Sequence, residues 1–142
     1  MNRLLNMGIE PFLVASSVNC IVAQRLARRV CEECRENDTE VEAEALVAAG
    51  LPEEEAAAVV PVKGRGCRNC SETGFKGRFA VYEVMPLHDE LKEFVLNGAS
   101  ALDLKREAMR LGMKSLRQSA LSKLSEGMTT LGEVLRVSTA DH

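Results

Sequence analysis

The apolar positions near the start of the chain recur every three to four residues, a spacing typical of one face of a helix. The apolar residues at this spacing are Val14, Val18, Ile21, Val22 and Leu26. Pro11 suits the first position of a helix. The arginines before residue 30 would lie in its last turns, where their positive charge interacts favourably with the negative end of the helix dipole. We therefore predict a helix over residues 10–29, with Cys20 buried on its apolar stretch.

The middle of the chain alternates between helical and extended patterns. Residues 39–60 are rich in Ala and Glu and are interrupted by Gly50 and Pro52, which predicts two short helices with acidic outer faces. Residues 61–66 are expected to be extended. The β-branched and aromatic residues of Arg78–Met85 predict a short strand that follows them.

The C-terminal third contains pairs of residues that fit a capping box, in which a hydroxyl side chain caps the third backbone N–H of a helix. The pairs are Ser100 with Asp103, Ser115 with Gln118, and Thr130 with Glu133. Gly98, Gly112 and Gly127 stand where the preceding helices should end with a left-handed residue. We predict four short helices whose apolar faces share one core: about Asp89–Leu96, Ala101–Leu111, Leu116–Glu126 and Leu131–Val137.

Size and charge narrow the class of protein. With 142 residues, the chain suits one compact domain or two small lobes, and a net charge of −3 provides no overall field for nucleic acid. We find no run of about 18 apolar residues and no signal segment, so we expect a cytoplasmic chain without direct membrane insertion. Disulfides are rare in that compartment, and the five cysteines are an odd number.

Two Cys-x-x-Cys pairs, Cys31 with Cys34 and Cys67 with Cys70, are separated by 32 residues. Each such turn can present two thiolates on one side, and two turns complete the tetrahedral coordination that zinc prefers. Several glycines flank the second pair, as a backbone wrapped closely around a metal-bound sulfur requires. We interpret the four cysteines as ligands of a structural zinc ion, because four protein ligands leave no position for a catalytic water.

Other interpretations of the cysteines remain open. A thioredoxin-like redox site would use only one pair, whereas a rubredoxin-type iron or an iron–sulfur cluster would use the same four ligands. Several basic residues surround the pairs, and we interpret them as counter-charge for the thiolates in preference to a binding patch for an acidic partner. They are Arg28, Arg29, Arg35, Lys63, Arg65, Arg68, Lys76 and Arg78. A zinc-dependent protein-binding or nucleic-acid-binding module is an alternative function.

Three segments together resemble the C-terminal end of the type II secretion and type IV pilus assembly ATPases. They are "MGIEPFLVASSV…AQRLARRVCEEC", "VKGRGCRNCSETGFKGRFAVYEVMPL" and "GMKSLRQSALSKLSEGMTTLGEVLRV". The resemblance covers nearly the whole chain and includes all four paired cysteines. It carries the ligand role over to Cys31, Cys34, Cys67 and Cys70.

The resemblance implies an α+β fold, mostly α, which forms the C-terminal part of a RecA-like motor domain. Residues 1–30 would be a helix from the remnant of that core. Residues 31–78 would form an inserted tetracysteine zinc-binding subdomain with a helical insert. Residues 79–142 would form a strand and a C-terminal bundle of four helices.

The same resemblance implies a function for the intact parent. It would be a cytoplasmic homo-hexamer that hydrolyses ATP with Mg²⁺ and acts on an inner-membrane platform or a cytoplasmic adaptor. The phosphate-binding loop and the other nucleotide motifs of the family would lie upstream of Met1. We therefore expect this chain alone to be inactive as an ATPase and to bind structural Zn²⁺.

Overall fold

The computed structural model describes Leu4 and residues 6–138. Helices and short strands follow one another along the chain in an α+β fold, so the expected fold class is confirmed at this level. The elements in chain order are α1 (Pro11–Ser17), β1 (Cys20–Val30), β2 (Arg35–Asn37), α2 (Ala43–Ala49), α3 (Glu53–Ala58), β3 (Val62–Gly64), β4 (Phe75–Pro86), α4 (Asp89–Leu96), α5 (Ala101–Arg110), α6 (Leu116–Ser125) and α7 (Leu131–Val137).

The chain forms two compact units. The first contains the described residues up to Ala23 together with Glu83–Lys114, and the second contains Gln24–Tyr82 and residues 115–138. The expectation that the four C-terminal helices share one core is wrong, because α4 and α5 belong to the first unit and α6 and α7 to the second. Caps define where a helix begins and ends, but not the surface against which it packs.

The division of the chain into residues 1–30, 31–78 and 79–142 stays a prediction about domain organisation.

Each unit has its own apolar core. In the first unit α1 packs on α4 and α5, and the buried side chains are Val14, Ala15, Leu87, Leu91, Val95, Leu104 and Ala108. The core of the second unit joins β1 and β4 to α2, α3, α6 and α7. Leu46 of α2, Leu124 of α6 and Val134 of α7 are all inaccessible to solvent there. The two short helices predicted over residues 39–60 are confirmed, and α2 contributes directly to this core.

The predicted helix over residues 10–29 is wrong beyond α1. The chain continues as β1, which pairs with β4. At the start of β1 exposed and half-buried residues alternate, which is the period of a strand, and the β-branched Ile21 and Val22 favour that conformation. No Gly or Pro separates the helical spacing of α1 from the alternation of β1. The sequence therefore contains no signal for the boundary between the two elements.

The altered element also changes the environment of Cys20. We predicted a buried side chain on a helix, whereas Cys20 is an exposed residue at the beginning of β1. Successive side chains of a strand point to opposite faces, so the partial burial of Ile21 gives no indication of burial at Cys20. The structure therefore leaves a free thiol at the surface of the first unit.

The short strands β2 and β3 bring two distant parts of the chain together. They are antiparallel, with Arg35 opposite Gly64, Glu36 opposite Lys63 and Asn37 opposite Val62. β2 begins directly after Cys34, and β3 ends shortly before Cys67. Pairing of these two strands therefore places the two Cys-x-x-Cys turns at the same end of a small sheet.

The predicted helix caps are confirmed. The hydroxyls of Ser100, Ser115 and Thr130 each accept a hydrogen bond from the third backbone N–H of the following helix. Only Ser115 is described with the full capping box, in which Gln118 reaches back to the backbone N–H of the cap. The carboxylate of Glu133, expected to reach back to Thr130, binds other partners.

Glu133 is a buried carboxylate, 2% exposed, that connects α7 to β1. It accepts hydrogen bonds from the backbone N–H of Arg28 at 2.8 Å and from the Arg28 guanidinium at 2.9 and 3.1 Å. The Arg136 guanidinium donates at 2.7 and 3.0 Å. The Arg136 hydrogen bonds, opposed by burial and reinforced by those of Arg28, lower the pKa of Glu133 to about 2. This ion cluster fixes β1 three residues before Cys31.

A second charged side chain is buried in the same unit. Arg117 of α6, 6% exposed, donates to the Ser138 hydroxyl at 2.8 Å and to the Ser138 carbonyl at 3.1 Å. It also donates at 3.1 Å to the carbonyl of Ala49, which is the last residue of α2. A guanidinium at the negative end of a helix is favourable, so Arg117 holds the insert helix α2 against α6.

We predict that Glu133→Gln lowers the free energy of unfolding at pH 7 by about 2–3 kcal/mol, because it leaves two arginines without their carboxylate. The folded pKa of about 2 lies below the ordinary value of 4.5. The contribution of Glu133 is therefore complete above pH 4.5 and disappears as the pH falls toward 2. Urea unfolding of both chains as a function of pH measures this difference.

Glu107→Gln provides the matched control for this experiment. Glu107 also pairs with an arginine three residues later, Arg110, but that arginine is 67% exposed. Screening by solvent makes such a pair weak, so we expect little change in stability. A Glu133→Gln chain as stable as the Glu107→Gln chain would contradict the role assigned to the ion cluster.

Candidate metal centre

The structure brings the four predicted ligands together in the second unit. Cys31 and Cys34 lie in the turn between β1 and β2, which we call the first knuckle (residues 31–34). Cys67 and Cys70 lie between β3 and β4 in the second knuckle (residues 66–74). The four sulfur atoms all lie within 4.8 Å of one another, although the two pairs are far apart in sequence.

The distances between the sulfurs fit a single tetrahedral ion. The Sγ atoms of Cys31 and Cys67 are 3.7 Å apart, those of Cys34 and Cys70 3.8 Å, and those of Cys67 and Cys70 3.7 Å. Zn–S bonds of about 2.3 Å give a regular tetrahedron with edges of about 3.8 Å. A disulfide would require about 2.05 Å, and all four cysteines are free. The residues present therefore fit one metal ion.

Backbone N–H groups point at the sulfurs. Gly66 donates to Cys34 Sγ at 3.3 Å, while Cys67 and Gly74 donate to Cys70 Sγ at 3.3 and 3.2 Å. The amide side chain of Asn69 donates to Cys31 Sγ at 3.8 Å. Donors of this kind orient thiolate ligands and offset part of their negative charge. The backbone thus supplies the outer shell that a metal–thiolate site requires.

The pKa values differ between these sulfurs because burial and hydrogen bonding compete. Burial raises the pKa of the Cys34 thiol to about 12, against the lowering effect of the Gly66 N–H. At Cys70 burial also raises the pKa, but the N–H groups of Cys67 and Gly74 outweigh it and hold the pKa at about 6. The protein without metal therefore favours one thiolate first, and binding of a divalent cation would favour ionisation of the others.

The second knuckle is built from unusual backbone conformations. Ser71 and Glu72 both have positive φ, at 55° and 66°, although neither is a glycine. A Cβ atom on Gly64 would lie 2.0 Å from the carbonyl oxygen of Gly74, a distance that no side-chain rotation relieves. Only glycine at residue 64 allows the end of β3 to pass so close to the second knuckle.

Two backbone hydrogen bonds hold the knuckles against each other. The N–H of Cys31 donates to the carbonyl of Gly74 at 2.9 Å, and that of Arg65 donates to the carbonyl of Cys34 at 3.1 Å. The first bond therefore joins the two knuckles directly, and the second joins the first knuckle to the residue that precedes the second knuckle. The position of the four sulfurs is set by this backbone frame together with β2 and β3.

The surrounding basic side chains do not serve as direct donors to sulfur. Among the hydrogen bonds of the described residues, none joins an Arg or Lys to a cysteine sulfur. Arg28 binds Glu133 and lies 4.2 Å above the ring of Phe75, and Arg35 donates to the carbonyl of Gly127. Counter-charge from these residues would therefore have to act over longer distances than the hydrogen bonds of the backbone N–H donors.

The sequence did not indicate the groups that support the site from outside the motif. Glu133 lies 102 positions after Cys31 and was interpreted only as a capping residue. The buried position of Glu133 between two arginines depends on the packing of α7 against β1. The residue spacing within either element does not reveal that the two elements are in contact. The positive φ values at Ser71 and Glu72 likewise had no signal, since polar residues of this kind are common in ordinary turns.

Comparison with known proteins identifies the family. Residues 1–136 match the family described as "Type II/IV secretion system protein". The match covers far more than half of the chain, so the chain belongs to this family. The resemblance inferred from the cysteine motifs and the terminal helices is confirmed.

Particular relatives agree with this assignment. The chain is 54% identical to the type IV pilus assembly ATPase PilB of Myxococcus xanthus, over 95% of the chain and 24% of the relative. It is 42% identical to PilB of Thermus thermophilus, over 95% of the chain and 15% of the relative. It is 38% identical to the type II secretion system protein E of Pseudomonas aeruginosa, over 96% and 26%. The chain thus spans about a quarter or less of the length of these relatives.

Within the described part of the chain, every helix is too short or too polar to cross a bilayer.

We predict that Gly64→Ala destabilises the second unit by about 3 kcal/mol, because the added methyl group overlaps the backbone of Gly74. Gly132→Ala is the matched control, since a Cβ atom there meets nothing closer than the Thr130 hydroxyl at 3.7 Å. Alanine in helix α7 should be neutral or slightly stabilising. Urea unfolding of both variants measures the difference, and equal stabilities would show that the close approach of Gly64 and Gly74 is not required.

Proposed function

We propose that this chain is the zinc-stabilised C-terminal lobe of a motor ATPase for type IV pilus assembly. The observation that carries the proposal is the grouping of four cysteine sulfurs within 4.8 Å of one another in a chain that belongs to the type II/IV secretion family. Cys31, Cys34, Cys67 and Cys70 would bind one Zn²⁺ ion. The ion would have a structural role, because the protein fills all four coordination positions.

Zinc suits this site better than the alternatives. Four thiolates are soft ligands that select zinc or iron among the available metals, and zinc carries no redox chemistry of its own. An iron–sulfur cluster would bind thiolates to different iron atoms and would hold their sulfurs farther apart than 3.7–3.8 Å. A single iron in the same tetrahedron is the remaining competitor, and it is distinguished by its visible absorbance.

The zinc ion would replace a hydrophobic core that the knuckles lack. The cluster of buried side chains around the site consists of the four cysteines themselves. β2 and β3 have only three residues each and are therefore too small to hold two loops by pairing alone. In small lobes of this type the metal–ligand bonds supply the folding free energy.

Pilus assembly is the function that the relatives favour within the family. The relatives at 54% and 42% identity are both pilus assembly ATPases. The PilB and the type II secretion system protein E of Pseudomonas aeruginosa are both 38% identical, so this pair does not separate the two functions. The two higher identities support pilus assembly as the proposed function of the parent, with type II secretion as the alternative.

The intact parent would bind ATP and Mg²⁺ through motifs outside this chain. It would be a cytoplasmic homo-hexamer, peripheral to the inner membrane, that acts on a membrane platform or a cytoplasmic adaptor. The lobe would present a rigid surface in that assembly. Alone it would not hydrolyse ATP, because its sequence contains no phosphate-binding loop.

The metal is tested first in the 142-residue chain. We expect elemental analysis to find one zinc per chain, and chelation to lower the midpoint of thermal unfolding strongly, because four thiolates are left facing one another. Re-addition of zinc should restore the midpoint. A chain that unfolds at the same temperature with and without chelator would contradict a structural role for the ion.

The control for this measurement is Cys20→Ser. Cys20 is exposed and belongs to the first unit, so its loss should leave both the zinc content and the response to chelator unchanged. Cys31→Ser should abolish stoichiometric binding. Iron in place of zinc, with visible absorbance, would reassign the metal while leaving the ligands as proposed.

The parent function is tested in a chimaera. The corresponding C-terminal segment of the Myxococcus xanthus ATPase is replaced by this chain, and piliation and ATP hydrolysis are measured in cells and in the purified protein. We expect piliation to be retained, and to be lost when Cys31 and Cys34 are both changed to Ser. A chimaera that hydrolyses ATP normally but makes no pili would exclude the pilus-assembly assignment for this lobe.

A further inference from the structure

The four cysteines of the metal centre differ in their accessibility. Cys31, Cys34 and Cys70 are buried, at 0%, 5% and 3% exposure, whereas Cys67 is half-buried. An oxidant must approach a sulfur atom directly before an S–O bond can form. Susceptibility to oxidation therefore follows exposure, and Cys67 is the most accessible of the four ligands.

Hydrogen bonding points to the same residue. Cys70 Sγ accepts two backbone N–H bonds, and Cys31 Sγ accepts the Asn69 amide in addition to backbone donors. Cys34 and Cys67 each receive a single backbone donor, from Gly66 and from Cys70. Fewer donors leave more electron density on the sulfur and make it a better nucleophile. Cys67 alone combines this feature with access from solvent.

We propose that the metal centre is redox-sensitive: a peroxide oxidises Cys67 first, Cys70 then forms a disulfide with it, and the metal ion is released. This inference rests on the zinc binding proposed above. It adds a chemical property of the ligands that the structural role of zinc does not itself imply.

Cys70 is the partner for Cys67 because both belong to the same loop. Cys31 Sγ is equally close, at 3.7 Å, but Cys31 follows the strand that the Glu133 cluster fixes. A bond to Cys31 would require movement of one knuckle against the other. A bond to Cys70 requires about 1.7 Å of approach within a single turn.

The reaction is balanced in two steps. The Cys67 thiolate attacks one oxygen of hydrogen peroxide, the O–O bond breaks, hydroxide leaves, and a sulfenic acid forms. The Cys70 thiolate then attacks that sulfur, the S–O bond breaks, and a second hydroxide leaves as the disulfide forms. The two sulfurs lose two electrons in total, the peroxide gains them, and two solvent protons convert the hydroxides to water. Zinc remains divalent throughout.

Release of the metal follows from the loss of two ligands. Cys31 and Cys34 alone provide half of the tetrahedron, and zinc bound by two thiolates exchanges readily with a chelator. The second knuckle then loses its connection to the first through the metal ion and keeps hydrogen bonds, which are the backbone bonds of Cys31 and Arg65 and those that Gly66 and Asn69 donate to the remaining sulfurs. Peroxide would thus convert an ordered lobe into one with a loose second loop, and a thiol reductant with zinc would reverse the change.

The test uses the Cys20→Ser chain, so that the exposed thiol of Cys20 does not react. The zinc-loaded chain is treated with a small excess of hydrogen peroxide, and released zinc is measured with a chromogenic chelator while remaining thiols are counted by alkylation. Trypsin cleaves after Arg65 and Arg68, which places Cys67 and Cys70 on different peptides. Cleavage after Arg29 and Arg35 leaves Cys31 and Cys34 on one peptide.

We expect one zinc released per two thiols lost, with the first product joining the Cys67 peptide to the Cys70 peptide. Reduction and fresh zinc should restore the loaded chain. A first product that joins Cys67 to Cys31, a disulfide within the Cys31–Cys34 peptide, or zinc retained with all thiols intact would overturn the inference. A chain that binds no zinc before peroxide would overturn the proposed function as well, so the two failures are distinguished by the zinc content at the start.

Discussion

The constraint on which the knuckles of the second unit depend is the crowding of four cysteine sulfurs within 4.8 Å of one another. Four thiolates in so small a space are unfavourable unless a cation lies between them. The two knuckles that contain these cysteines must nevertheless be positioned before a cation can bind. The paired strands β2 and β3, the bonds between the knuckles, and the glycines 64 and 74 perform that placement. The backbone thus prepares a site whose four sulfurs could hold one metal ion.

The ion cluster and the buried arginine extend this placement into the helices. Glu133 connects α7 to β1 just before the first knuckle, and Arg117 connects α6 to the end of α2. The helical insert between the two cysteine pairs is therefore anchored to the C-terminal helices, and it is not a free loop. Glu133 thus supports both the packing of α7 in the second unit and the strand that leads to the first knuckle.

Local signals determined what could be predicted from the sequence. The capping residues predicted the first residues of α5, α6 and α7, because a cap is a contact between neighbours in the chain. The cysteine pairs identified all four candidate ligands for the same reason. The strand β1 was missed because its first residues continue a helical spacing, and Glu133 was missed because its partner is distant in sequence. Assignment of helices to one core failed since packing depends on contacts that no single element encodes.

The 32 residues between the cysteine pairs also have a consequence for the order of folding during synthesis. At roughly 5–20 residues per second, the first knuckle leaves the ribosome several seconds before the second. It cannot hold zinc tightly with two ligands during that interval, although α2 and α3 can already form beside it. The proposed zinc ion would therefore enter late, once Cys70 has been made and β3 has paired with β2. A partly synthesised chain that ends before Cys70 would have no complete site for the ion.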